Sequence, residues 1–368
     1  MRIPLLAVAV LVIASLGAVA VLRSADTHSD SATPKQQMEE GFWRELARSD
    51  GARVAYEEFK AFQRSQPINY EHRLSHLFGA ALYKELGVTA ISVCDFETQI
   101  GCLHEFFRQY ADGHGLSSLV ELEKGCEQNK DARGPCQHAI GHGVLSYYGN
   151  TKEGLVQALE MCGSSFGYTD VVGCMGGAFM EYNGYVTLDP KDTLRSPEAN
   201  WYGACLDVPE KFQRSCAWWL PRWWGEYFMT SNDKAATAVK SYTKMAELCR
   251  NLPLPKYRRE CFEHVGQNVS GAAKYDPEKV KLLCNTITVN AQEKLYCLSY
   301  AASMFTYGTW ESHLPYGNMI ARETLPTREK ARAVCAELSS GEKEYCYHYA
   351  DNQNYLHNEL PLPSSVRE

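Results

Sequence analysis

Six of the eleven histidines of this chain fall between positions 72 and 142, and five of them recur in register. His72 and His76 form one H-x-x-x-H element (HRLSH), and His138 and His142 form a second (HAIGH). Between them, HEFFR carries His104, with Arg108 where the second imidazole would stand. Counted back from the cysteine that follows each (Cys94, Cys126, Cys162), His72, His104 and His138 occupy equivalent places. Residues four apart share one face of a helix, so several ring nitrogens can converge. That donor set suits zinc or copper, or the iron of haem. Glu105, and His114 in ADGHG, are candidate additional ligands or hydrogen-bond partners of the ligands. The same recurrence also suits core histidines that bond neighbouring carbonyls. No zincin motif, C-x-x-C-H haem attachment, G-x-S-x-G, P-loop or dinucleotide fingerprint occurs.

A second group is aromatic. Trp218, Trp219, Trp223 and Trp224 crowd around Pro221 and Arg222. Exposed, they would stack on sugar rings or clasp a peptide; buried, they would form a bulky core under a Pro-kinked helix. The stretch from Tyr182 to Tyr202 is the length of an overhanging functional loop. Asn268-Val269-Ser270 is a glycosylation sequon.

The elements that must position these residues are written in the fourteen cysteines. They fall into consecutive pairs: Cys94 with Cys102, Cys126 with Cys136, Cys162 with Cys174, Cys205 with Cys216, Cys249 with Cys261, Cys284 with Cys297, and Cys335 with Cys346. Partners lie 8 to 13 residues apart, and successive first cysteines 32 to 51 apart. Before each first cysteine runs an amphipathic stretch such as GLVQALEMC or KVKLLC; after each second one comes an apolar run such as CQHAIGHGVLSYY or CMGGAFMEY. The spacing predicts helix A, Cys, loop, Cys, helix B, repeated. Thiols at a hairpin tip can meet, and closing a loop of about 11 residues stabilises each unit by about 2.8 kcal/mol in the chain-entropy picture. An uncysteined hairpin, ARVAYEEFKAFQ then EHRLSHLFGAALYKEL, caps the array. Gly141, Gly143, Gly176 and Gly177 lie early in B helices, where they allow close helix packing. Metal binding by the cysteines is disfavoured, since no C-x-x-C occurs.

The fold class is therefore all-α, an α/α superhelix of about eight hairpins, seven with one local disulfide each. In this it resembles Sel1-like repeat proteins, particularly the Helicobacter-type cysteine-rich proteins, over residues 50 to 350. The likeness is architectural. It implies a right-handed superhelix used for binding and transfers no catalytic residue.

Composition agrees with a folded, exported protein. The chain is 45% hydrophobic and has a net charge of -7 without a basic run, which argues against nucleic acid. Arg2 precedes an uncharged apolar run, so residues 1–22 read as a signal peptide ending near Ala18-Val19-Ala20 or as an uncleaved anchor. Residues 23–38 read as a linker, 39–350 as the repeat domain and 351–368 as a tail. Both readings of the N-terminus place the rest outside the cytoplasm, periplasmic or secreted, touching membrane only if the segment is retained. Two functions follow as expectations. One is a non-enzymatic scaffold that presents its superhelical surface to a protein, peptide or glycan. The other is a metal- or haem-binding protein, an oxidoreductase or metal carrier, using His72, His76, His104, His138 and His142. A thiol-disulfide enzyme is disfavoured, because it wants a reactive C-x-x-C.

Overall fold

A computed structural model of the chain describes residues 34–66, 68–94, 101–120, 122, 133–165, 173–183, 195–230, 238–310, 328–351, 362–363 and 366. Among these there are helices and no strands. After a helix α1 (Glu40–Ser49), the capping hairpin is α2 (Ala52–Arg64) and α3 (Ile68–Leu86). The B helices that follow are α4 (Gly101–His114), α5 (Arg133–Tyr148), α7 (Cys174–Asn183), α8 (Glu210–Thr230), α10 (Arg258–Ala272), α12 (Ala291–Trp310) and α14 (Ser340–Asp351). The A helices are α6 (Lys152–Ser165), α9 (Ala238–Arg250), α11 (Pro277–Ile287) and α13 (Arg328–Val334).

Each B helix packs on the next, from α3 through α4, α5, α7, α8, α10 and α12 to α14, and the A helices lie outside this inner layer. Six of the expected disulfides are present, with Cα atoms 5.4 to 5.9 Å apart: Cys94–Cys102, Cys162–Cys174, Cys205–Cys216, Cys249–Cys261, Cys284–Cys297 and Cys335–Cys346. Cys136 is also disulfide-bonded; its expected partner Cys126 lies outside the described residues. Local staples in this number mark a chain that folds in an oxidising compartment.

Two A segments depart from the expected α-helix. The stretch before Cys94 is a 3-10 helix, Gly87–Ser92. It begins at a left-handed glycine (φ 59°) and carries the β-branched Val88, Thr89 and Ile91, which leaves neither the length nor the propensity for α turns. Before Cys205 stands a single turn, Pro197–Ala199, then a bend through left-handed Gly203.

Gly141, Gly143 and Gly177 act as expected of B-helix glycines. A Cβ on Gly141 would lie 2.0 Å from the Cys174 carbonyl oxygen, one on Gly177 1.9 Å from that of His138, and one on Gly143 2.8 Å from that of Phe107. Gly79 and Gly266 make the same approach to Cys102 and Cys297. The superhelix is consequently so tight that side chains two B helices apart meet. His76 on α3 faces His142 on α5, His138 on α5 faces Trp219 on α8, and Trp218 on α8 faces Tyr300 on α12. Arg259 and Glu263 on α10 bond Tyr349 on α14 in the same way. The inner side of the array is a filled column.

Residues 1–22 and most of 23–38 lie outside the described residues, and no described helix is long and apolar enough to cross a membrane. Most of the 351–368 tail is likewise outside them; Val366 is buried and Leu362 packs on the core.

Candidate metal centre

At its N-terminal end the column is built of imidazoles. α3 supplies His76, α4 His104, and α5 both His138 and His142. Their exposures are 1%, 2%, 7% and 0%. One ligand nitrogen from each of His104, His138 and His142 lies within 4.8 Å of the others. His138 Nε2 and His142 Nε2 are 3.2 Å apart. A tetrahedral ion bound at about 2.0–2.1 Å would set its nitrogens roughly 3.3–3.4 Å apart, so this pair already has the spacing. The widest pair must close by roughly 1.4 Å at most, which ring rotation supplies. The His104 and His142 rings stack with centroids 4.1 Å apart.

An outer layer orients these rings. His142 Nδ1 is 2.8 Å from a Glu181 carboxylate oxygen on α7, so it donates its proton there and leaves Nε2 as the lone-pair nitrogen. His104 Nδ1 lies 3.4 Å from His76 Nε2. His76 Nδ1 in turn faces Glu105 at 3.7 Å. Glu105 is fully buried and its charge is held by Arg108, with Nε at 2.9 Å, and by Gln109 at 2.7 Å. His138 packs its ring on Trp219, centroids 5.0 Å apart. Carboxylate–imidazole pairs of this kind fix tautomer and raise ligand basicity around metals.

Burial sets the protonation states. It pulls the His142 imidazole down to about 3, against the opposing charge of Glu105. It holds His76 well below its usual range, with help from His142 and Arg108. Glu181 is pushed up to about 8 by burial and by the charge of Glu105, with Arg108 opposing. At neutral pH these two rings are therefore uncharged, which is the form that ligates metal.

The other candidates are placed as follows. The side chain of His72 lies outside those described. His114 is exposed, stacks on Tyr110 at 4.3 Å and donates Nδ1–H to the Tyr110 carbonyl at 3.1 Å, away from the cluster. Arg108 belongs to the centre through Glu105. Trp218, Trp219, Trp223 and Trp224 are all buried, and Trp223 and Trp224 donate their indole N–H to the carbonyls of Arg195 and Trp201. They form the bulky core, not an exposed platform; half-buried Arg222 lies close enough to act electrostatically on His264. Residues 184–194 of the Tyr182–Tyr202 stretch lie outside the described residues. The sequon is inside α10, with the buried Ser270 hydroxyl bonded to the Gly266 and Ala301 carbonyls.

Sequence reasoning missed two residues. Glu181 is the one acid in the apolar run CMGGAFMEY, and that incongruity was the signal. His264 on α10 is buried, pulled down to about 3 by burial and then by Arg222, and neither ring nitrogen has a hydrogen-bond partner. Its ring stands edge-on to Trp218 and Trp219, at 5.1 and 5.4 Å. Nothing in the repeat register marked it. No protein family, curated protein or solved structure matches the chain.

Proposed function

We propose that the protein is an extracytoplasmic helical-repeat metalloprotein that holds one transition-metal ion, zinc or copper, among His104, His138 and His142. One observation carries this reading: three buried imidazoles from two helices bring ligand nitrogens within 4.8 Å, and the ring of His142 is oriented by a buried carboxylate. The compartment half of the reading rests on the local disulfides and the apolar N-terminal run. A bare ion is favoured over haem. Rings 4.1 to 5.3 Å apart, nearly sealed from solvent, leave no slot for a macrocycle. The metal reading is also preferred to a surface for a protein, peptide or glycan, because the tryptophans that would have formed that surface are covered.

The test is elemental analysis of protein purified from its native compartment, beside a His138→Ala/His142→Ala double variant. One zinc or copper per chain, lost in the variant, supports the reading. Metal-free native protein that takes up neither ion on dialysis sinks it.

A further inference from the structure

We infer that the centre leaves one coordination position open, and that this position takes a water, a hydroxide or a small anion such as azide. The inference rests on the metal reading above and concerns what completes the sphere.

The cluster holds four imidazoles, but they do not act as four equal ligands. Only His104, His138 and His142 bring nitrogens within 4.8 Å of one another. His76 stands one step behind. Its Nε2 faces His104 Nδ1 at 3.4 Å and its Nδ1 faces Glu105 at 3.7 Å, so it relates to His104 as Glu181 relates to His142. Each arrangement occupies Nδ1 of a ligand ring and turns Nε2 inward. Both carboxylates are spent on this outer layer: Glu181 on His142, and Glu105 on Arg108, Gln109 and His76. Among the described residues the donor set is therefore three imidazole nitrogens. Three protein ligands on a tetrahedral ion leave a fourth site for an exogenous group.

Access sets the size of that group. His76, His104 and His142 are 0 to 2% exposed, whereas His138 is 7% exposed. The His138 ring packs on Trp219, with centroids 5.0 Å apart. Burial this complete leaves room for a small group and not for a peptide or a sugar.

The experiment loads metal-free protein with one equivalent of cobalt(II), whose visible spectrum reports coordination, and titrates it with azide. Saturable one-site azide binding that shifts the cobalt bands is the expected result. His76→Ala should still load one cobalt and still respond to azide, with metal affinity lowered about 10- to 100-fold, as for loss of an outer hydrogen-bond partner. His72→Ala should behave as wild type. Cobalt that binds at one per chain with a spectrum unmoved by azide overturns the open position while leaving the metal reading standing. An azide response that emerges only in His76→Ala or His72→Ala also overturns it, because that imidazole was then the fourth ligand. Failure of cobalt to bind at all removes the metal reading and this inference together. The wild-type titration needs no variant to fold.

Discussion

Gly177→Ala tests the link between helix packing and the centre. Gly177 sits where α7 crosses α5, and a Cβ there would lie 1.9 Å from the His138 carbonyl oxygen and 2.9 Å from its carbon. Real Cβ atoms essentially never come closer than 3.0 Å to such an atom, so the two helices must part by at least about 1.1 Å. The obstacle is backbone, which no rotamer change relieves. Overpacking of this sort costs up to about 3 kcal/mol, and the better helix propensity of alanine returns about 1. A net destabilisation of about 2 kcal/mol is expected. The same movement carries Glu181 on α7 away from His142 on α5 and breaks the 2.8 Å pair that orients that ring, so metal affinity should fall at least tenfold. Urea unfolding gives the first quantity and competition with a chromophoric chelator the second. Gly271→Ala is the control. Gly271 is an exposed helical residue with nothing within 4 Å of the added carbon, and its substitution should stabilise by up to about 1 kcal/mol. Wild-type stability and affinity in Gly177→Ala would refute the claim that this crossing holds the imidazoles in place.

Three further outcomes are expected. His264 titrates at about 3 in the fold and near 6.5 when unfolded. The unfolded chain thus takes up its proton first as pH falls, and the stability present above about 6.5 is lost toward 3. At pH 5 that loss is about 2 kcal/mol relative to pH 7. His264→Phe should remove it, and urea midpoints that keep the same pH dependence in wild type and variant would exclude the assignment. Glu181→Gln keeps shape and hydrogen bonding but removes the carboxyl that can ionise behind His142 when a cation binds; metal affinity should fall about 10- to 100-fold with helix content unchanged, as chelator competition and circular dichroism will report. Replacing both Cys249 and Cys261 by serine should cost about 2.8 kcal/mol and weaken amide protection in α9 and α10 first, because the staple is local; uniform loss of hydrogen-exchange protection along the array would contradict a repeat that unfolds unit by unit.

Most of the scaffold was legible because a cysteine pair marks each bridged hairpin, and six described bridges fall where the spacing put them. The helix ends were less exact: α8, α12 and α14 begin six residues before Cys216, Cys297 and Cys346, and α6 and α11 run three residues past Cys162 and Cys284. What the spacing did not carry was the length of each A segment. Gly87 and Gly203 shorten two of them to single-turn or 3-10 pieces, while the cysteines keep their places. Within the site, the register of His104 and His138 was readable because repeats place equivalent residues on equivalent faces. Glu181 was not, because it lies seven residues beyond its cysteine, on a helix without histidine. It reaches the cluster only because Gly177 lets α7 approach α5 so closely. The aromatic cluster was readable as composition; its burial depended on how tightly the superhelix closes, which no spacing states.

The two ends of the interior column explain why a ligand is expected at one and not at the other. The slot two residues beyond the second cysteine holds His104, His138, Gly176, Trp218, Glu263, Ser299 and His348 in successive units. At the C-terminal end the slot residue Glu263 accepts from Arg259 at 2.8 Å and from Tyr349 at 2.8 Å, so its charge is neutralised and its oxygen satisfied within the protein. At the N-terminal end the slot residues His104 and His138 pack on His76 and His142, 3.4 and 3.2 Å between nitrogens, backed by Glu105 and Glu181, with Arg108 as the cation bonded to Glu105. Glu105 is offset by Arg108, while burial pushes Glu181 up to about 8 and so holds it protonated; a metal ion on the imidazoles would let Glu181 ionise, which gives this end a gain from a bound cation that the other end lacks. Removing the ion should therefore loosen α3, α4, α5 and α7 and leave α10 to α14 untouched. Hydrogen exchange with and without chelator reads this directly, and protection that changes equally at both ends would show that the imidazole end is already balanced on its own.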